Sequence, residues 1–329
     1  MAGKDPTDVT RRQFAGAIAA TGLAASLAPR AIAQAFETDP PLAPGSMADL
    51  AGVRMGVETY CFHDVPRNGD PAIIPMLTQY MHDVGINECE IMSAHIEQTT
   101  GLGNGWWVTA RQQPTYPQER AAARQWRIAT PPAYYEAIRE RFRASGISIY
   151  SYNLNVNETF TDEERDHAFI AGRALGAEVL VASCTISEIP RSAPFAEKHG
   201  MILSPHNHNN IYDPDQFATP EGFERAFAVS PNVKATLDIG HFAAGNNDPV
   251  DFIEKHHDRI AVLHIRDRKR DNGPHVPLGQ GDARVRDVLR LVRDGKLPIR
   301  CYVELEYGSL RPPVDEVKRA LEFCKSSLV

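Results

Sequence analysis

The chain has 329 residues, of which 43% are apolar and 23% charged, and a formal charge of −7. That length admits one large barrel or two average domains, and no run approaches the roughly 20 consecutive apolar residues of a membrane-crossing helix, which argues against an integral membrane protein. The acidic balance argues against a nucleic-acid partner, because such proteins carry a basic footprint and the dense cationic run from Arg266 to Arg270 is short enough to be a polar loop.

At the N-terminus, Thr10-Arg11-Arg12-Gln13-Phe14 precedes an Ala/Gly/Leu-rich segment from Ala15 to Leu27, and the small residues Ala31-Ile32-Ala33 close it. Basic, apolar and cleavable stretches in that order mark a secretory signal, and the paired arginines resemble a twin-arginine export signal. Residues 1–35 are therefore expected to be removed, residues 36–49 to form a Pro-rich linker, and residues 50–329 to fold as one domain. The resemblance implies the twin-arginine export machinery as a partner, a periplasmic or secreted location, and transport of an already folded chain. Cleavage would remove Lys4, Arg11, Arg12 and Arg30 against Asp5 and Asp8, leaving a charge of −9. The five cysteines are odd in number and show no C-x-x-C spacing, so neither a disulfide framework nor a structural zinc site is expected. Cys61, Cys89 and Cys301 lie in apolar runs and are expected in the core.

After the linker a phrase recurs: helical periodicity, a glycine, then a short β-branched run, with glycines at Gly85, Gly146, Gly176 and Gly200. A glycine at that place is the left-handed end of a helix, and the run after it is a strand. Strands are predicted near residues 53–60, 86–92, 147–153, 178–183, 201–206, 233–238, 260–265 and 299–305. A helix follows each, near 71–84, 132–144, 161–175, 188–199, 219–228, 248–258, 284–294 and 313–327. Thr161-x-x-Glu164 has the pattern of a capping box, and Asp248-Pro249 places a cap before a first-turn proline. Pro190 and Pro194 mark the fourth helix as irregular. Eight alternations with continuously apolar strands predict an α/β fold, a single (β/α)8 TIM barrel with its active site at the C-terminal rim. An open doubly wound sheet is disfavoured, since Val57-Glu58-Thr59-Tyr60 stands where a G-x-G-x-x-G would follow the first strand.

His206, Asp238, His264 and Glu304 end the fifth to eighth strands, 32, 26 and 40 residues apart. Parallel barrel strands end on one rim, so these two imidazoles and two carboxylates are expected to converge as ligands for one divalent metal ion; manganese, cobalt, zinc, iron and magnesium all remain open. Glu304 and Glu306 are two apart on a strand and face the same way, making Glu306 either a partner of a ligand or a base, with a merely structural role for one of the two as the alternative. The segment from Ser93 to Thr130 is long and polar and carries the three tryptophans Trp106, Trp107 and Trp126; a binding loop whose rings meet sugar faces and a self-packed excursion are equally consistent with it. His95 and Glu97 close the second strand within reach of substrate hydroxyls, and Glu58 closes the first, where a barrel-floor ion pair is an equal alternative. Gly279-Gln280-Gly281, in the connection after the seventh strand, is where barrels often hold phosphate.

Asp238-Ile239-Gly240-His241, Leu263-His264-Ile265-Arg266-Asp267 and Val303-Glu304-Leu305-Glu306-Tyr307 resemble the sixth, seventh and eighth strands of the xylose isomerase-like barrel family, which includes the sugar phosphate isomerases and epimerases. The resemblance spans about residues 50–329 and implies metal ligation by Asp238, His264 and Glu304, with His241 beside the substrate. Many ketose epimerases of that family carry a glutamate at the end of the fifth strand; this chain has Ser204-Pro205-His206-Asn207-His208-Asn209. A metal-bound imidazole is a poor proton shuttle, so proton transfer is expected to fall to His241, His208, Glu306 or Glu304, with Asn209 and Arg266 contacting substrate. The expected activity is metal-dependent isomerisation or epimerisation of a neutral carbohydrate by proton abstraction next to a carbonyl. The alternatives are a lyase expelling the aglycone from 3-keto-glycosides and a noncatalytic exported sugar-binding protein. A zinc phosphodiesterase like endonuclease IV shares the barrel but fits the acidic surface poorly. Self-association of the barrel is left open.

Overall fold

The computed structural model describes residues 47, 49–70, 72–98 and 114–329. The expected signal, most of the linker, and Trp106 and Trp107 lie outside them. Eight parallel strands appear among the described residues: β1 Val53–Glu58, β2 Glu88–Met92, β3 Ser148–Asn153, β4 Val179–Ala182, β5 Ile202–Pro205, β6 Ala235–Asp238, β7 Ile260–Ile265 and β8 Arg300–Val303. They run in the order β5-β4-β3-β2-β1-β8-β7-β6 with parallel pairing throughout, and Asp49–Leu50 adds a short antiparallel edge to β1. Between β5 and β6 the ladder thins to two parallel bridges, Leu203 with Val233 and His206 with Thr236. The barrel is therefore nearly closed, with its seam between the two strands that end in His206 and Asp238.

Among the described residues one covering helix belongs to each strand: α1 Ile73–Asp83, α2 Pro132–Ala144, α3 Asp162–Ala174, α4 Ile189–His199, α5 Pro220–Phe227, α6 Pro249–His256, α7 Val285–Asp294 and α8 Pro313–Ser327. The alternation is the expected (β/α)8 barrel, and the four glycines of the repeated phrase adopt φ of 75°, 71°, 81° and 60°. Those left-handed values are nearly free for glycine and strained for any residue with a Cβ, which is why the phrase recurs where each helix must turn into a strand. Pro190 sits in the first turn of α4, where its missing N–H is not needed; Pro194 lies inside the helix, and the three-residue 3-10 turn Ile186–Glu188 precedes it. No helix among the described residues is long and apolar enough to cross a membrane.

Tyr150, Val179, Val181, Ala261, Val262 and Tyr302 form one buried cluster. They come from β3, β4, β7 and β8, strands on opposite sides of the barrel, so they meet through its interior. Arg300 stacks over Tyr150 at 4.0 Å, and Tyr302 donates to Glu88 at 2.9 Å, which closes the N-terminal end with charge and hydroxyl groups. Cys61, Cys89 and Cys301 are all buried free thiols, as expected of small core residues.

The Ser93 to Thr130 connection is not wholly irregular, because Tyr116–Ala129 is a helix. Its buried side is Arg120, Ala123 and Arg127 rather than an apolar stripe. Arg127 donates to Glu97 and to Glu164, each at 2.9 Å, Arg120 also pairs with Glu164, and Tyr152 donates to the other Glu97 oxygen at 2.6 Å. Trp126 packs edge-on against Tyr134 of α2 at 5.6 Å, so its ring is committed to the helix layer.

Only half of the expected capping box forms at α3. The Glu164 amide donates to Thr161 Oγ1 at 3.2 Å, while the Glu164 carboxylate goes to the two arginines instead of returning to the cap. Thr161→Ala is expected to destabilise the protein by about 1 kcal/mol, the usual cost of a lost cap. Urea denaturation reads this, and an unchanged midpoint would show that the cap contributes nothing.

Candidate active site

Four strand ends bring His206, Asp238, His264 and Glu304 together, and one ligand atom from each lies within 4.8 Å of all the others. His206 Nε2 is 3.5 Å from Asp238 Oδ2 and 3.7 Å from Glu304 Oε2, and His264 Nδ1 is 2.7 Å from Glu304 Oε2. Ligand atoms bonded to an ion at about 2.0–2.2 Å are separated by about 3–4 Å, so the spacing suits one small divalent cation. All four atoms are buried and lack an aligned hydrogen-bond partner. Buried polar atoms without an aligned hydrogen bond are costly, and four gathered this closely, two nitrogen and two oxygen, fit an ion of the manganese-to-zinc series.

The seam of the barrel is held by side chains where the backbone ladder fails. Asn207 donates to the Asp238 carbonyl at 3.0 Å and accepts from the Asp238 amide at 2.8 Å, copying a strand pairing between β5 and β6. Asp238 Oδ1 caps the following helix Ile239–Ala244 through the His241 amide at 2.7 Å, which leaves Oδ2 for the centre. Ser183 Oγ lies 3.3 Å from His206 Nδ1, turning Nε2 inward.

On the far side of His264, Nε2 is 3.3 Å from Glu90 Oε1, and Glu90 is fixed by Ser151 and Asn153, each at 2.8 Å. A carboxylate behind a ligating imidazole sets its orientation and raises its basicity. Burial alone would lower the His264 pKa, but Glu90 and Glu304 outweigh it and raise it well above the ordinary value. Glu58 lies in the same acidic interior, and burial, then Glu304 and Glu90, push its carboxyl well up, toward a neutral acid. Glu90 was legible only as a carboxylate inside an apolar strand, Glu88-Cys89-Glu90-Ile91-Met92, a placement that itself calls for a partner.

Arg266 is 2% exposed and spans the carboxylates. It contacts Asp238 Oδ2 at 3.1 Å, Glu306 Oε2 at 2.8 Å and the outer oxygen of Glu304, and its NH1 donates to His241 Nε2 at 2.7 Å. Arg268 meets the other ring nitrogen of His241 at 2.7 Å and donates to Asn209 at 3.0 Å. Burial, then the nearby arginine and histidines, hold His241 well below the ordinary imidazole value even with Asp238 opposing, so the ring is neutral. His208, its ring 5.1 Å from His206 and 5.0 Å from His241, is likewise held at about 3 by burial and His206. Glu306 is raised by burial against the pull of Arg266, and His275 stands 3.5 Å from it.

Other expected contacts fall elsewhere. Glu97 is taken up by Arg127 and Tyr152 as described above. His95 is buried on the short helix Ser93–Ile96 with Nδ1 3.0 Å from Thr59 Oγ1. The Gly279-Gln280-Gly281 loop is already filled by an anion from the chain itself: Asp267 accepts from the amides of Gly279 and Gly281 at 2.8 Å and of Ala283 at 3.1 Å. A phosphate would have to displace that carboxylate.

His95 carries a pH prediction. Burial, with Arg67 adding to it, lowers its pKa to about 3, below the unfolded value near 6.5, so folding favours the neutral ring. Its contribution is complete above pH 6.5 and is lost as pH falls toward 3. Relative to His95→Asn, the native chain should lose up to about 1.4 kcal/mol per pH unit between pH 6 and 4. Parallel urea curves at several pH values test this; equal slopes in the two proteins would refute it.

No curated protein is a significant match to the chain. Among solved structures, it is similar to a sugar phosphate isomerase/epimerase from Parabacteroides distasonis, with a TM-score of 0.58 and 18% identity over 84% of this chain and 96% of that one. It is also similar to the apo form of 3-keto-D-glucoside 4-epimerase from E. coli, with a TM-score of 0.58 and 11% identity over 83% and 99% of the two chains. The IOLI protein with a bound zinc atom matches with a TM-score of 0.53 and 14% identity over 83% and 95%. At such identities these likenesses speak for the fold. In sequence, residues 171–327, from the last turn of α3 through α8 and slightly less than half of the chain, match the xylose isomerase-like TIM barrel family.

Proposed function

We propose that this protein is a member of the xylose isomerase-like barrel family that isomerises or epimerises a neutral carbohydrate by removing a proton next to a carbonyl, with one divalent ion held by His206, Asp238, His264 and Glu304. The observation that carries the proposal is the convergence at the C-terminal rim of four buried ligand atoms that lack an aligned hydrogen bond. When bound, such an ion supplies Lewis acidity toward a carbonyl and its neighbouring hydroxyl. The names of the structural neighbours, a sugar phosphate isomerase/epimerase and a 3-keto-glucoside epimerase, support the substrate class.

Within the chain, Glu306 is the preferred proton carrier. Burial raises its pKa, the direction that suits a carboxyl group that must both take and return a proton, and it keeps 28% side-chain exposure at the mouth. Arg266 donates to it and fixes its direction. His241, neutral between two arginines, and His208 remain as hydrogen-bonding partners or secondary proton carriers, with Asn209 and Arg266 beside the substrate. The filled Asp267 loop favours a substrate without phosphate.

A lyase acting on 3-keto-glycosides is the second reading, and one observation favours it. The fifth strand ends in His206, whose two nitrogens face Ser183 and the centre, so no carboxylate stands there to return a proton from the opposite face. Elimination needs only one base. The N-terminal sequence adds the further proposal that the enzyme is exported through the twin-arginine pathway and works in the periplasm or outside the cell. Incubation of ion-loaded protein in deuterated water with keto-sugars and with 3-keto-glycosides tests the chemistry. Solvent deuterium in the isomerised or epimerised keto-sugar, or release of the aglycone with loss of the C–H proton from the 3-keto-glycoside, is expected and should vanish with a chelator; unlabelled keto-sugar together with no aglycone release would sink proton abstraction.

A further inference from the structure

A second polar cleft of about 440 Å³ opens on the same rim, between the segments that follow β3, β4 and β5. Its inner wall includes Ser183, the residue whose hydroxyl touches the outer nitrogen of His206. One side of the cleft is thus separated from the metal centre by a single imidazole ring. We propose, resting on the carbohydrate reading above, that this cleft seats the second residue of a glycoside, so that the substrate is a two-residue sugar and not a free monosaccharide or a sugar phosphate.

The lining has the chemistry for this. Asn210 and Gln216 line the cleft, their side-chain amides have no protein hydrogen-bond partner among the described residues, and each amide has both a donor and an acceptor for a sugar hydroxyl. Asp215, in contrast, is spent on holding the cleft in shape, accepting from the Ser187 amide at 2.8 Å and hydroxyl at 2.6 Å. Tyr212, 89% exposed, lies on the same loop between Asn210 and Asp213, and an exposed ring suits the apolar face of a pyranose. Asp213 and Asp215 line the cleft, with no lysine or arginine among its described lining residues, so the local field disfavours a phosphate.

The experiment is a binding measurement on the full chain, by calorimetry or saturation-transfer NMR, with cellobiose, maltose, glucose and glucose 6-phosphate as probes. At least one disaccharide should bind about tenfold more tightly than glucose. The Asn210→Ala/Gln216→Ala variant should lose that advantage while its affinity for glucose stays the same, which also reports that it is folded. The proposal is overturned if neither disaccharide exceeds glucose, if the double variant keeps the advantage or weakens glucose equally, or if glucose 6-phosphate binds best. Because no turnover is needed, the two readings fail separately. Disaccharide binding through Asn210 and Gln216 without deuterium exchange keeps the cleft and removes the reaction, whereas exchange without a disaccharide advantage does the opposite.

Discussion

Replacing His264 by alanine is expected to abolish retention of a divalent ion through dialysis and to lower solvent-deuterium exchange by at least about 10²–10³-fold, the scale on which one electrostatic stabiliser contributes. In the proposed centre the imidazole would be one of four ligands, and it couples two carboxylates, with Nδ1 2.7 Å from Glu304 and Nε2 3.3 Å from Glu90. Alanine removes both links, and Glu304 is then directed by Arg266 alone among its close partners other than His206. Glu90→Gln gives the calibrating comparison. It keeps the shape behind His264 but removes the charge, so ion affinity should fall by about 10–100-fold, the range seen when the support of a ligand is changed. The order native, Glu90→Gln, His264→Ala should therefore appear in ion titrations. If His264→Ala retains the ion as tightly as the native chain, the four-atom centre is not the binding site.

Much of this architecture is written in the chain because each barrel unit carries its own punctuation. Gly85, Gly146, Gly176 and Gly200 mark four helix-to-strand turns through a conformation that other residues resist, and the apolar runs behind them are too short for anything but strands. The convergence of His206, Asp238, His264 and Glu304 was legible for a topological reason: parallel strands of one barrel end on one rim. What escaped was structure held by charge. The helix Tyr116–Ala129 has no apolar stripe to betray it, because it docks through Arg120 and Arg127 onto Glu97 and Glu164. Periodicity of hydrophobicity cannot register a buried face made of guanidinium groups. The same blindness gave Glu164 a return bond to its cap that the arginines had already taken, and left Gly279 and Gly281 open to a phosphate when Asp267 already occupied their amides. Pairings between distant side chains depend on which loops meet, and one sequence does not encode that in any local pattern.

Arg266 is the residue on which the charge balance of the centre turns, and Arg266→Met should show it. The guanidinium lies against Asp238, Glu304 and Glu306 at almost no exposure. Burial alone would raise the pKa of Asp238 and of Glu304, yet Arg266 together with the neighbouring histidines outweighs it and holds both carboxylates below their ordinary range. Methionine fills a similar volume without the charge, so in the presence of a chelator the variant should lose about 3–5 kcal/mol of stability, the cost of stranding buried charges. A bound divalent ion supplies positive charge to the same carboxylates, and the loss should be smaller with saturating manganese. Acid should narrow the gap for a related reason. Carboxylates whose folded pKa is depressed contribute stability above the unfolded value near 4, and that contribution is lost as pH falls through the folded value. The native chain therefore has the more to lose below pH 4, and the two proteins should converge there. Urea unfolding of both, with chelator and with manganese, over a range of pH decides the matter. An equal loss under all conditions would mean that Arg266 acts by packing alone; a loss that shrinks with either the ion or acid would identify it as the resident cation of an anionic site built to hold a second one.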